Sequence, residues 1–458
     1  MNFTDLLYSL KHIRLSGNAD DLALILGRNH PADVAVALEH LPDDDVHALL
    51  ALTDAIRRAA VFGYLPKDQQ ARLASRFDRK SLAELLFFMA PDERADLYNG
   101  LPEPCREEVM PALAQAERED IRRLAAYPER AVGAVMTSDY ATLPAELDAR
   151  QAIEHLRRIA PDAETIYQAF VIDDARRLLG TVSLRELIVA PPSARVADLM
   201  TTEAVYVRAE APREEAVQLI AKYDLIALPV INGGDALVGI VTYDDAMDVD
   251  KAEADTDFHK VAAVGELAVS LKDATIAMLY RKRVFWLVVL VFGNLFSGAG
   301  IAYFEDTIAA YIALVFFLPL LVDSGGNAGS QSATLMVRAL ATGDVRLKDW
   351  SGMLLRELMV AGLLGATMGA AVSLLGVWRG GPEIALVVAL TMQIVVVVGS
   401  VIGMSLPFLL SRLKLDPATA SAPLITSIAD AAGVLIYFAI ATAILGLPAP
   451  GSEGLALP

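Results

Sequence analysis

The chain has almost no cysteine, and its N-terminus lacks a long apolar run. Cys105 is the one cysteine among 458 residues, which excludes a disulfide framework and a zinc site built from several cysteines, and fits a reducing compartment. The opening stretch MNFTDLLYSLKHIRL has no apolar core of about 7–15 residues, so we do not expect a signal peptide. A secreted, disulfide-stabilised protein is therefore not predicted.

Charge is scarce in the C-terminal part. Residues 284–458 contain 7 Lys and Arg and 10 Asp and Glu, so about −15 of the formal net charge of −18 belongs to residues 1–283. Hydrophobic residues make up 55% of the chain. This division predicts an acidic soluble half fused to a membrane half. The acidic half offers no basic surface for nucleic acid, and it favours cations as partners.

The membrane half contains five apolar stretches of the length that a bilayer crossing needs, about 20 residues. These are Val284–Tyr303, Ile308–Val337, Leu358–Trp378, Ile384–Ser411 and Pro417–Ser452. Nine Lys and Arg flank these stretches on one side, and only Arg379 lies on the other. The positive-inside bias therefore predicts a multi-pass protein of the cell (inner) membrane, in contact with lipid, with a cytoplasmic acidic half and the C-terminus outside.

Two acids, Asp323 and Asp430, lie within these stretches. A carboxylate at the bilayer centre costs about 2.5–3.5 kcal/mol on insertion scales, and it normally marks an ion path. Asp430 has Thr426 one turn away and small residues around it, which leave room for a hydrated ion. The structural alternative is a hydrogen bond between Asp430 and a neighbouring helix.

The second stretch combines Pro319 with a glycine-rich polar run, DSGGNAGSQS, that includes Gly325, Gly326 and Asn327. This composition predicts unwound backbone that lines a cavity. The five stretches contain neither His nor Cys, which disfavours zinc and copper. Oxygen ligands suit Mg²⁺, and Na⁺ is the alternative ion.

The acidic half begins with short helices and continues with a duplication. In residues 1–130, apolar residues recur at helical spacing and prolines stand at the expected helix starts, which predicts an all-α helical superhelix. After residue 131, VGAVMT returns as VADLMT and LLGTVSLRELI returns as LVGIVTYDDAM. Each copy has an apolar strand, a turn, a second strand and a helix. An acidic run, Asp248–Lys260, then leads toward the membrane.

The duplicated segment resembles a tandem pair of CBS domains, an α/β module. Such pairs bind adenosyl nucleotides or cations, and the resemblance implies ATP as a candidate ligand. The candidate nucleotide-binding residues are Tyr167, Arg185 and Glu186. The structural alternative is that Ser183 and Glu186 only cap an ordinary helix.

The whole chain resembles the MgtE family of magnesium channels, in the domain order and in the stretches FLPLLVDSGGNAGSQS and PLITSIADAAG. The resemblance implies a homodimer with its pore on the two-fold axis, where Asp430 of each subunit holds a hydrated Mg²⁺. The implied pore-lining candidates are Asp323, Gly325, Gly326, Asn327 and Thr426. The implied regulatory Mg²⁺ ligands are Glu214, Asp224, Asp245, Asp248, Glu253 and Asp257, together with Asp92, Glu93 and Asp96.

We therefore expect a multi-domain membrane protein with four parts. These are a helical acidic domain (1–130), tandem CBS domains (131–250), an acidic linker helix (251–283) and a five-span pore domain (284–458). The expected function is a Mg²⁺-selective channel that takes up Mg²⁺ and that cytoplasmic Mg²⁺ closes. A secondary transporter coupled to Na⁺ or H⁺ is the alternative. An enzyme is not expected, because the spans contain no nucleophile–base pair.

Overall fold

The computed structural model describes residues 2–265 and 274–447. The chain divides into two compact units, Met1–Glu253 and Ala254–Pro458. We call them the N-terminal unit and the C-terminal unit.

The first part of the N-terminal unit is helical, as the sequence predicts. Its helices are α1 (Phe3–Ser16), α2 (Ala19–Arg28), α3 (Pro31–Leu38), α4 (Asp43–Ala51), α5 (Ala55–Phe62), α6 (Lys67–Ala74), α7 (Arg79–Phe88), α8 (Pro91–Gly100), α9 (Glu103–Val109) and α10 (Gln115–Leu124). Proline occupies the first position of α3 and of α8, where its missing N–H costs no helical hydrogen bond. Leu10, Phe62, Leu73 and Leu86 are fully buried in one shared core.

The duplicated segment forms two three-stranded sheets of the same topology. The elements are β1 (Tyr140–Leu143), α11 (Ala149–Ile159), β2 (Thr165–Ile172), β3 (Leu178–Ser183), α12 (Leu184–Val189), α13 (Val196–Leu199), β4 (Val207–Arg208), α14 (Arg213–Tyr223), β5 (Ala227–Ile231) and β6 (Leu237–Thr242). In each sheet the first two strands are parallel and the last two antiparallel. The predicted α/β duplication is confirmed.

The repeated Met-Thr segments join the two copies. Thr137 of the first copy pairs with Ile240 on β6 of the second, and Thr201 of the second pairs with Thr181 on β3 of the first. Gly180 and Gly239 allow this close approach. A Cβ on Gly180 would lie 2.6 Å from the carbonyl oxygen of Thr201, closer than real Cβ contacts come. The sequence repeat therefore specifies a reciprocal exchange between copies.

The helix that follows β6 starts and ends earlier than the predicted linker helix, 251–283. It is α15, Tyr243–Val261, so it begins inside the second copy and includes the whole acidic run. Residues 266–273 lie outside the described part of the chain. Ala263 adopts a left-handed φ of 53°, which closes α15 in place of the glycine that usually stands there. The prediction of a single helix over residues 251–283 is therefore wrong.

The C-terminal unit is helical. After the end of α15 its helices are α16 (Ile276–Gly293), α17 (Leu295–Tyr303), α18 (Glu305–Ala310), α19 (Leu314–Ala341), α20 (Trp350–Arg412) and α21 (Ala422–Leu445). Within the described residues, three helical stretches are long and apolar enough to cross a membrane: Ile276–Tyr303, Leu347–Arg412 and Ala422–Leu445. The second of these bends at Gly381, whose φ of 83° interrupts the helix, a conformation open to glycine.

The glycine-rich run in α19 is helical, so the predicted unwound backbone is wrong. α19 continues through Pro319 and the glycines to Ala341. The glycines serve close helix packing instead. A Cβ on Gly399 of α20 would lie 2.2 Å from the carbonyl oxygen of Gly325, and a Cβ on Gly403 would lie 2.0 Å from that of Gly329. Backbone-to-backbone packing of this kind is the use that membrane helices make of small residues.

This packing predicts that Gly399→Ala destabilises the C-terminal unit. The added methyl group meets the backbone of α19, which cannot rotate away, and overpacking of this kind costs about 1–3 kcal/mol. We expect a lower thermal unfolding midpoint for the detergent-solubilised protein. The matched control is Gly362→Ala on the same helix, where a Cβ meets nothing within 4 Å and helix propensity favours alanine. Equal midpoints for the two variants would contradict the packing account.

Candidate cation sites

The first candidate site lies between α19 and α21 in the C-terminal unit. Asp430 of α21 lies close enough to Asp323 of α19 for their charges to interact. The Asp430 Oδ1 atom is buried and has no hydrogen-bond partner among the described residues. Asn327 donates a hydrogen bond to Asp323 over 2.8 Å. One turn further along, the hydroxyl groups of Ser330 and Thr426 lie 3.2 Å apart. The two helices thus share a group of polar side chains, which we call the polar row: Asp323, Asn327, Ser330, Thr426 and Asp430.

Gly326 determines how closely α19 approaches Asp430. A Cβ at Gly326 would lie 2.8 Å from Thr426 Cγ2 and 3.2 Å from Asp430 Oδ1. Gly325, in contrast, faces α20, since its Cβ would lie 2.5 Å from Val395 Cγ1. Of the two predicted glycines, the structure therefore brings Gly326 to the carboxylate and assigns Gly325 to helix packing.

The described part of the chain leaves the polar row partly uncovered. Asp323 and Asn327 are exposed, and Asp430 is half-buried, although α21 is apolar enough to span a membrane. Elsewhere α19 and α21 pack with α20 in a core that includes Phe317, Val388 and Phe438. Carboxylates at membrane depth face a bundle interior or a water-filled cavity. The uncovered row therefore requires water, ions or a second subunit against it.

The second candidate site is a group of four acids in the N-terminal unit, Asp92, Glu93, Glu164 and Asp245, which we call the acid cluster. Asp92 and Glu93 lie in the first turn of α8. Glu164 precedes β2, and its N–H donates to the carbonyl of Asp139. Asp245 lies in the first turn of α15, where Thr242 Oγ1 donates to its carboxylate. The helical domain and the CBS pair thus both contribute acids to the cluster.

The carboxylates of the acid cluster resist ionisation. Desolvation, and then the charge of Asp245, raises the pKa of Glu93 to about 7. Desolvation and the charges of Asp245 and Asp244 raise the pKa of Glu164 to about 7. The pKa values of Asp92 and Asp245 are raised as well. Desolvation is the largest cause for both, followed by the charge of Glu93 for Asp92 and by the charge of Asp92 for Asp245. Glu164 is the most exposed of the four, so solvent screens its charge best.

The acid cluster suits a cation that is held through water. None of its four carboxylates forms an ion pair within the described ranges. Across residues 2–265 and 274–447, however, no three His, Cys, Asp or Glu side chains are grouped so that they could hold a metal ion directly. Mg²⁺ gives up its water reluctantly and is commonly bound through one or two carboxylates. The donor set therefore fits a hydrated Mg²⁺.

Two predicted ligands already have cationic partners within the N-terminal unit. The Glu253 carboxylate accepts from Arg213 Nε over 2.9 Å and from Arg130 Nη2 over 2.9 Å. Asp96 pairs with Lys67. Both acids are therefore paired within the unit, although the charge of Asp96 still acts on Asp92 and Glu93.

The other predicted ligands lie on α14 and α15. Glu214 is in the first turn of α14, Asp224 caps its end with a left-handed φ of 52°, and Asp248 is exposed on α15, one turn after Asp245. Asp257 belongs to the C-terminal unit.

Glu164 was missed by sequence reasoning. It stands in a loop before an apolar strand and belongs to no repeated motif. The charge of Asp245, 81 positions later in the sequence, acts on Glu164. No rule of residue spacing predicts a contact between positions so far apart.

The candidate nucleotide residues are at the surface of the first CBS copy. Tyr167 is 66% exposed, and Arg185 and Glu186 are also exposed. Glu186 accepts hydrogen bonds from the Ser183 N–H over 2.7 Å and from the Ser183 hydroxyl over 2.8 Å. This is a capping box, so Glu186 has a structural role whether or not a nucleotide binds.

Comparisons with known proteins agree with this architecture. Family models match for the MgtE intracellular N domain (29–130), two CBS domains (132–193 and 196–251) and the MgtE divalent cation transporter domain (318–440). The chain is 42% identical to the magnesium transporter MgtE of Thermus thermophilus, over 72% of this chain and 73% of the relative. It is 36% identical to that of Bacillus subtilis, over 73% and 74%.

Two solved structures resemble about half of the chain. One is the soluble part of a magnesium transporter, with a TM-score of 0.52 and 27% identity over 55% of this chain and 100% of the other. The second is the cytosolic domain of the Mg²⁺ channel MgtE in complex with ATP, with a TM-score of 0.51 and 34% identity over 53% and 99%. The helical domain, the CBS pair and the apolar helices with their matched family models show that this chain belongs to the MgtE family of magnesium transporters.

Proposed function

We propose that the protein is a Mg²⁺-selective channel for Mg²⁺ uptake, in which Asp430 holds a hydrated Mg²⁺ in the pore. The observation that supports this most is the uncovered polar row on α19 and α21, with a buried Asp430 oxygen that lacks a partner among the described residues. Asp323, Asn327 and Thr426 supply further oxygen atoms along the path. A hydrated divalent ion needs such oxygen-lined space rather than a tight cage.

The proposed pore requires two copies of the chain. We propose five crossings, formed by α16 with α17, by α19, by the two parts of α20 on either side of Gly381, and by α21. In a homodimer the two polar rows face each other across the two-fold axis. The N-terminal unit is then cytoplasmic and the C-terminus outside, because Lys and Arg flank the proposed cytoplasmic ends of the helices.

The proposed pore role predicts that Asp430→Asn removes most Mg²⁺ uptake. The amide keeps the size of the side chain and removes the negative charge that attracts a divalent ion. We expect at least a tenfold loss of uptake by a transport-deficient cell at equal membrane expression.

The matched control is Glu305→Gln, an exposed acid in the first turn of α18. Uptake by this variant should equal that of the wild type. Wild-type uptake by Asp430→Asn would remove Asp430 from the pore.

We further propose that cytoplasmic Mg²⁺ closes the channel by binding at the acid cluster. Without a cation, the charges of Asp92, Glu93, Glu164 and Asp245 repel one another and push α8 away from the CBS pair. A hydrated Mg²⁺ bridges them and fixes the start of α15. The ion favours the closed state only as far as it binds that state more tightly.

Raised pKa values make this sensor dependent on pH. The ordinary pKa of a Glu is about 4.3, and that of Glu93 is raised to about 7. At a pH below the ordinary pKa of about 4.3, the cluster acids are protonated and their contribution to the stability of the unit is fully present. This contribution is lost as the pH rises through the folded-state pKa of about 7. We expect the Mg²⁺-free protein to resist protease less at pH 8 than at pH 6, and added Mg²⁺ to restore more resistance at pH 8.

Glu93→Gln should weaken this response. The substitution removes one buried charge, so the Mg²⁺-free protein should resist protease better than the wild type at pH 8 and gain less from Mg²⁺. Glu107→Gln, an exposed acid on the neighbouring helix α9, should behave as the wild type. An unchanged Mg²⁺ gain in Glu93→Gln would exclude Glu93 from the sensor.

We also propose ATP as a ligand of the CBS pair, in line with the ATP complex of the similar cytosolic domain. The exposed ring of Tyr167 offers a surface on which an adenine can stack, and Arg185 offers positive charge. Because the Ser183 N–H and hydroxyl both donate to Oε2 of Glu186, a ribose hydroxyl would approach the other oxygen, Oε1. Tyr167→Ala should weaken ATP binding, measured by calorimetry. Unchanged binding would place the nucleotide elsewhere.

A further inference from the structure

We propose that Lys260 and Asp416 form a latch that ties the end of α15 to the connection between α20 and α21. The inference rests on the proposed gating and adds to it a device that needs no bound ion. Both residues belong to the C-terminal unit. The Lys260 ammonium donates to Asp416 Oδ2 over 2.6 Å, and the two side chains are only 22% and 36% exposed.

Asp416 is a rigid partner for the ammonium. Its second oxygen, Oδ1, accepts the N–H of Ala418 over 2.9 Å and so caps the short 3₁₀ turn Pro417–Thr419. Ala418 is buried. A carboxylate fixed in this way loses little conformational freedom when it pairs, so more of the Coulomb attraction remains than at a freely moving surface pair.

The segment around Lys260 is fixed as well. Lys260 lies in the last turn of α15, where the helix dipole favours a positive charge. The left-handed Ala263 then reverses the chain, and the N–H of Val264 returns to the carbonyl of His259 over 2.9 Å. The N–H of Gly265 donates to the carbonyl of Lys282 on α16 over 3.0 Å. The end of α15 is therefore held at two points, one on α16 and one at Asp416.

The position of Asp416 gives the latch its consequence. Only the 3₁₀ turn and Ala420 separate Asp416 from Ser421, the residue that precedes α21, and α21 carries Asp430. α15 carries Asp245 of the acid cluster at its other end. The latch thus connects the helix of the proposed sensor with the helix of the proposed pore. It favours the gating state that keeps the end of α15 at this connection. Because Mg²⁺ closes the proposed channel by fixing the start of the same helix, this state is the closed one.

The test is a double-mutant cycle on Mg²⁺ closure of the full-length protein in liposomes. Lys260→Met and Asp416→Asn should each raise the Mg²⁺ concentration for half-closure about two- to fivefold, the range of a partly exposed ion pair. The double variant should shift it no further, and the exchanged pair Lys260→Asp with Asp416→Lys should restore it in part. Lys251→Met removes an exposed charge from the same helix and should leave closure unchanged.

Three results would overturn the latch. They are wild-type closure in both single variants, additive shifts in the double variant, and an equal shift in Lys251→Met.

A second measurement separates failure of the latch from failure of the proposed gating. In a Cys105→Ser background, Lys260→Cys and Asp416→Cys should be joined by a short bifunctional thiol reagent. The two parts of the chain should then stay together after cleavage at a protease site inserted at Gly343. Lys251→Cys with Asp416→Cys should not be joined. Joining without any Mg²⁺ closure of the wild type would refute the gating, whereas closure without joining would refute the latch.

Discussion

Carboxylates that are partly shielded from water, with no cationic partner among the described residues, are the constraint on which both units depend. In the N-terminal unit, the four acids of the acid cluster raise one another's pKa values, and none has an ion pair within the described ranges. In the C-terminal unit, an Asp430 oxygen is buried without a hydrogen bond from the described residues. Burial of an unpaired charge is unfavourable. Each site is therefore stabilised by a proton or by a cation from outside.

The packing of the C-terminal unit holds its carboxylates in place. Gly325 and Gly329 bring α19 against the backbone of α20, and Gly326 brings the same helix to Asp430. Tyr437, on the helix of Asp430, donates from its buried hydroxyl to the carbonyl of Leu314 over 2.9 Å. A rigid frame of this kind fixes the polar row, so that a hydrated ion in the proposed pore would meet a prepared surface rather than mobile side chains.

Much of the architecture could be predicted because it follows from local patterns. The duplication, the apolar helices and the lone carboxylate Asp430 are visible in the sequence, and the Met-Thr repeat proved to be the exchange between CBS copies. The glycine-rich run misled because glycine permits both an unwound backbone and close helix packing. Only the neighbours of Gly325 and Gly329 decide between these structures.

The acid sites were harder to predict, because their partners are distant in sequence. Glu253 belongs to an acidic run, yet Arg130 and Arg213, which are 123 and 40 residues away, already neutralise it. Glu164 enters the acid cluster from a loop without any motif. A count of acids finds where negative charge is dense. It does not find which carboxylates lack a partner, and that property decides where a cation binds.

Single-channel recording of the full-length protein in a planar bilayer tests the central claim most directly. With Mg²⁺ as the permeant ion, the account predicts unitary currents whose open probability falls as Mg²⁺ is raised on the side of the N-terminal unit. Monovalent salt of equal ionic strength should leave the open probability unchanged. Mg²⁺ flux without unitary currents would indicate alternating access, and an open probability independent of Mg²⁺ would contradict the sensor.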